Sequence, residues 1–147
     1  MANQIEIRHT GFTKWTPWRE RKNVACYNQV GVYALLHLKK GEHPPTGGAD
    51  ARDERVIYIG LSHKKQSFRA RWGPFNVAAF GSGNGPHSGG KTYRRRIGDK
   101  GSSLYVAARP IEYENTEIRD ALIMHIERKL IWEYVRKNKH LPRCNKE

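Results

Sequence analysis

Cysteine, acid and long apolar runs are the scarce features of this sequence, and each shortage excludes something. Only two cysteines occur, Cys26 and Cys144. They are far apart and sit in no metal-ligand spacing, so the sequence predicts free thiols rather than a zinc site or a disulfide framework. No stretch approaches the ~20 apolar residues that a membrane span requires, and the polar start Met1-Ala2-Asn3-Gln4 is unlike a signal peptide. The expectation is therefore a cytoplasmic protein with no membrane partner. Repeats and low-complexity tails are missing too.

Carboxylates are outnumbered: 14 Asp and Glu face 27 Lys and Arg, a net charge of +13 over 147 residues. A surplus of that size points to a polyanionic partner, because each phosphate neutralised by a basic side chain releases condensed counterions. The length suits one domain.

Two short apolar strings organise what is present. Gly31-Val32-Tyr33 opens the run to Leu38, and Tyr58-Ile59-Gly60 closes the run from Arg55. Both are rich in β-branched and aromatic residues and bounded by polar residues, as buried strands are. Leu104-Tyr105-Val106-Ala107-Ala108 reads as a third strand. Ile5-Glu6-Ile7-Arg8 alternates like an edge strand. The two tryptophans of Trp15-Thr16-Pro17-Trp18, beside a basic run, suit either base stacking or covering the core.

Residues 39–54 and 73–103 read as inserted loops. The first centres on Pro44-Pro45-Thr46-Gly47-Gly48, which breaks helix and strand and could reach a nucleic-acid groove. Between them, Leu61 to Trp72 reads as a turn and a short helix stopped by Gly73-Pro74, with Phe68, Arg71 and Trp72 on one flank. The second carries the glycine-rich stretch Gly81 to Lys91, whose backbone suits close approach to a phosphate. It contains His87 and runs into Arg94-Arg95-Arg96, a solvated face for nucleic acid to which Lys64, Lys65 and Lys91 add charge.

A long helix is predicted from Thr116 to Asn138. At about 100° per residue its apolar arc gathers Ile123, Met124, Leu130, Ile131 and Tyr134, with Glu127 in the middle. A charged, unpaired carboxylate there costs several kcal/mol. A metal, a cationic partner side chain or a bound proton would resolve it.

Taken in order, these pieces resemble the GIY-YIG nuclease family, with Val32 in place of the isoleucine. Glu127-Arg128-Lys129-Leu130-Ile131 with Tyr134 is similar to the family's metal-binding helix, and Pro142-Arg143-Cys144-Asn145 to its closing proline and asparagine. The resemblance covers about residues 29–145. It implies an α+β fold, with a small central, mostly antiparallel three-stranded sheet flanked by helices, over residues 29–147, preceded by a 28-residue extension.

The resemblance further implies a DNA endonuclease using one Mg²⁺, or Mn²⁺, on Glu127. Tyr33 would accept or relay the proton of the attacking water, Tyr58 would hold water or phosphate, and Arg71 would neutralise the phosphate. Asn145 would fix the geometry, and His87 stands open between a proton donor and an exposed loop residue. Two positions keep alternatives: spacing to Asn145 favours Glu133 over Glu127, and an alignment through Tyr93-Arg94-Arg95 would select Arg95 over Arg71. The compact restriction enzymes of the family are the nearest likeness, which implies duplex DNA as partner and a homodimer acting on it. A homing or repair nuclease and a non-catalytic basic nucleic-acid-binding protein are the competing readings.

Overall fold

The computed structural model describes residues 11–81 and 86–145. The expected strand at Ile5–Arg8 and part of the glycine-rich stretch lie outside the described residues. Four strands form one antiparallel sheet in the order β1-β4-β2-β3: β1 Thr16–Pro17, β2 Gly31–His37, β3 Val56–Ser62 and β4 Leu104–Pro110. The class is α+β, as expected. The strand beyond the expected three is the two-residue β1, too short to leave a periodic signal.

β2 lies between β4 and β3 and is buried from Gly31 to Leu36. Its unbroken apolar run is what a strand covered on both faces needs, since alternate residues face opposite ways. Val32, Ala34 and Leu36 enter one core with Ile59, Ala107 and the long helix; Tyr33 and Leu35 enter the other with Ile57, Val106 and Ala108. Trp15 joins the first core and Trp18 the second, and both are buried, so they cover the sheet and do not stack on bases. The Trp18 indole donates to Asn76 Oδ1 at 2.8 Å.

Three α-helices follow: α1 Phe68–Phe80, α2 Ser88–Arg96 and α3 Thr116–Asn138. α1 starts where Ser67 Oγ accepts from the Ala70 amide at 3.3 Å and runs through the expected stop at Gly73-Pro74. Gly73 has no Cβ to clash with the proline ring, which lowers the usual penalty at the residue before proline. Burial of Phe68, Trp72, Phe75 and Ala79 along one stripe offsets the rest. Residues 88–96, read as inserted loop, are also helical. Gly90 permits this: a Cβ there would lie 2.7 Å from both Ala78 Cβ and Phe75 O, so α2 crosses α1 at backbone distance.

α3 has the expected bounds, with Asn115 Oδ1 accepting from the Ile118 amide at 3.0 Å and Lys139 left-handed at φ 71°. Its buried stripe is Ile123, Ile126, Leu130 and Tyr134. Met124 is exposed, contrary to expectation, because it stands about 120° round the helix from Leu130. Glu127 is half-buried at the margin of the stripe rather than in its middle.

Residues 39–54 pack on the α3 side. Ala49 and Ala51 are buried, the Ala49 amide donates to Thr13 O at 3.0 Å, and Tyr134 and Asn138 donate to the carbonyls of Glu54 and Arg52. The segment from Ala49 onward seals a core, while the proline and glycine centre of the loop, 44–48, lies almost entirely at the surface. Among the described residues no helix is long and apolar enough to cross a membrane.

Candidate active site

Tyr33 and Tyr58 point to the same face of the sheet because Tyr33 pairs with Gly60, and Tyr58, two residues earlier, pairs with Leu35. Their ring centroids are 6.0 Å apart. Gly60 makes room: a Cβ on it would lie 2.6 Å from Tyr58 Cε2 and 2.8 Å from Tyr33 Oη. Gly89 does the same from α2, where a Cβ would lie 2.6 Å from Tyr58 Cε1. These glycines act by close packing, a use that the sequence reading did not separate from phosphate approach.

His87 caps α2, Nδ1 accepting from the Gly90 amide at 3.2 Å. Burial, then the Arg71 cation, push its pKa down to about 4, so the ring is neutral near pH 7. With Nδ1 used as acceptor, the ring proton sits on Nε2. Nε2–H therefore donates to Tyr33 Oη, 3.3 Å away. His87 is buried, not an exposed loop residue.

Arg71 projects from α1 and its Nη2 comes within 3.5 Å of His87 Nε2. Its charge bears on His87, Tyr33, Tyr58 and Glu127 alike. Arg71 Nε is buried with no hydrogen-bond partner. Arg95, the alternative, is exposed on α2 and bears instead on Cys144. Burial pushes the Tyr33 hydroxyl well above the ordinary phenol range, Tyr58 adds to this, and Arg71 opposes it. Tyr58 is raised by burial too, with Arg71 opposing and Glu127 adding.

Glu127 is the carboxylate whose charge both phenols feel. Burial raises its pKa, while Arg128 and Arg71 hold it down. Glu133 lies elsewhere, lining a cavity with Asp50, Arg52, Arg109 and Leu130. Among the described residues no three His, Cys, Asp or Glu side chains gather into a metal cage. Glu127 comes from the helix that packs on the other face of the sheet, and a lone carboxylate there could hold a hard divalent cation that keeps most of its waters and takes its remaining ligands from substrate phosphate.

Asn145 closes the outer edge of β3. Its Oδ1 accepts from the Ile59 amide at 3.0 Å and its Nδ2 donates to Ile59 O at 2.9 Å. The Cys144 amide donates to Ile57 O at 2.7 Å, so the C-terminal tail satisfies the groups an edge strand leaves open. Both thiols are buried and free, with pKa values pushed up to about 11 by that burial.

Of the expected phosphate-facing cations, Lys64 and Lys65 lie exposed in the turn before α1, and Lys91, Arg94, Arg95 and Arg96 lie exposed on α2. Arg94 and Arg96 donate to the carbonyls of Gly81 and Arg143. No family model, curated protein or solved structure matches the chain.

Proposed function

We propose that this protein is a metal-dependent DNA endonuclease that hydrolyses phosphodiester bonds, acting on duplex DNA as a sequence-specific restriction enzyme of GIY-YIG type and as a homodimer. The observation that carries the reading is the convergence of Tyr33, Tyr58, His87 and Arg71 on one face, with the Glu127 charge felt by both phenols. The four motif resemblances and the net charge of +13 support it.

Each side chain has a task that its surroundings suit. His87 donates to Tyr33 Oη, which holds the ring in place and leaves the phenol proton free to point away from the imidazole. Tyr33 is protonated near pH 7, since burial disfavours the phenolate. It takes the proton of the attacking water only as its own hydroxyl proton passes on to solvent, by relay or through the phenolate, and either route needs added positive charge to offset that burial. Glu127 would hold a Mg²⁺ ion, which supplies that charge and Lewis acidity toward a phosphate oxygen. Arg71, its Nε–H unpaired, takes the charge that grows on the phosphate. Tyr58 orients water or phosphate by hydrogen bond.

The test is cleavage of unmethylated plasmid and phage DNA with Mg²⁺, run beside Glu127→Ala and Glu133→Ala. Discrete fragments lost only in Glu127→Ala are expected. Loss confined to Glu133→Ala overturns the site. DNA that is bound yet left whole with every divalent metal overturns the catalytic reading in favour of a binding protein.

A further inference from the structure

α3 turns its buried stripe to the sheet, with half-buried Glu127 at the margin of that stripe, and the opposite side of the same helix is exposed. From Ala121 to Lys139 the exposed residues are apolar or cationic apart from His125, and none is a carboxylate. Arg128, Lys129, Arg136 and Lys137 are among them, while the two carboxylates of that span, Glu127 and Glu133, are both partly covered. Anions are thus drawn under the fold and cations left outside.

Trp132 stands at the centre of this face. It is 57% exposed, whereas Trp15, Trp18 and Trp72 are 5%, 3% and 0% exposed. Each indole that serves the core is fully covered; this one is held out. The Arg136 guanidinium lies 5.2 Å from the Trp132 ring centroid, and Met124, 42% exposed, lies on the same outward side. Arg128, Trp132 and Arg136 are spaced four residues apart, so the two cations bracket the indole over about 12 Å of helix.

An indole between cations matches one chemistry well: a base stacked on the ring with its flanking phosphates on the guanidinium groups. A second copy of this chain fits poorly, because two such faces would oppose like charges. A duplex keeps its bases in the stack and offers the indole none, whereas a single strand presents unpaired bases to any aromatic face.

We propose that the outer face of α3 binds single-stranded nucleic acid, with phosphates on Arg128, Lys129 and Arg136 and one unpaired base stacked on Trp132. This face lies across the helix from Glu127, so the proposal stands whether or not the tyrosine face cuts DNA.

The test is titration of the full chain with a short oligothymidylate in chelator, following tryptophan emission. Strong quenching is expected, since the exposed indole is the one a base can reach. Trp132→Ala should abolish the quenching and weaken binding about tenfold, the scale of one stacked base. Arg128→Ala with Arg136→Ala should lower the slope of log K against log salt by about 1.4, from ~0.7 per phosphate on single strands. All three positions are exposed, so thermal melting should be unchanged. Unchanged emission, equal quenching by a blunt duplex of the same length, or a change on concentrating the protein alone would each overturn the proposal; the last would assign the face to a second copy. Plasmid cleavage by Trp132→Ala is scored in parallel, so failure of the catalytic reading is seen separately.

Discussion

Gly60 faces Tyr33 directly across the β2–β3 ladder, and any Cβ placed on it would lie 2.8 Å from the Tyr33 hydroxyl. The obstacle on its other side is Tyr58 Cε2, at 2.6 Å. Both rings are hemmed in, Tyr33 edge-on to Phe68 and Trp72, Tyr58 against Phe75 and His87. Gly60→Ala should therefore cost about 1–3 kcal/mol by overpacking. The tyrosine pair must also spread, so cleavage should fall further than the stability loss explains. Urea unfolding and cleavage rates on the same preparation check this; unaltered activity would show that the pair tolerates displacement.

His87 makes a prediction about acid. Its folded pKa, about 4, lies below the ordinary value of 6.5, so between those values the unfolded chain binds more protons than the folded one. Stability then rises with pH over that window, is fully present above 6.5, and is lost as pH falls toward 4. Between pH 7 and pH 5 the loss should be about 2 kcal/mol, at 1.36 kcal/mol per unit. His87→Asn keeps a capping acceptor for the Gly90 amide but cannot titrate. Its unfolding free energy should lack this part of the pH dependence, and its cleavage should drop because Tyr33 loses the Nε2–H donor.

These two positions show where the sequence was legible. The tyrosine strands stood out because β2 is apolar without a break, and α3 because its cap and length are local features. Arg71 was readable from the spacing of Phe68 and Trp72, both of which are buried beside it. What was hidden depends on contacts distant in sequence. α1 passes Gly73-Pro74 because its aromatic stripe is buried, and α2 forms on poor helix formers because Gly90 lets it touch α1. The exchange of Met124 for Ile126 reflects which way α3 is rolled on the sheet. No local pattern sets that. The role of His87 as a cap also needed α2 to exist first.

Asn145 carries a prediction about the edge of the sheet. Its side-chain amide brackets the Ile59 backbone with two hydrogen bonds, one residue along β3 from Tyr58. Asn145→Ala removes both partners at once, a loss of about 1–3 kcal/mol by the usual worth of such bonds. Hydrogen exchange should quicken first at the Ile59 amide, with the β2–β4 ladder still protected. Asn145→Asp restores the acceptor but not the donor, and should recover only part of the protection. Uniform acceleration across the sheet would mean that the tail clamps the whole fold rather than its edge.

Arg71 and Arg95 should separate by the kind of defect they produce. Arg71 bears on Tyr33, Tyr58, His87 and Glu127 and keeps a buried, unpaired Nε–H, so in the proposed nuclease its loss would remove charge stabilisation at the phosphate. Arg71→Ala should lower kcat by about 10²–10³, the scale for one preorganised donor, with little change in DNA affinity. Lysine should rescue it poorly, because an ammonium cannot reproduce the planar fork. Arg95 is exposed on α2, where a phosphate contact adds to binding alone. Arg95→Ala should reduce the salt slope of duplex binding by about 0.9 and leave kcat at saturating DNA unchanged. Rates at saturation and binding at several salt concentrations distinguish the two. The opposite pattern, a kcat defect confined to Arg95→Ala, would place the reacting phosphate over α2 instead of over the tyrosines.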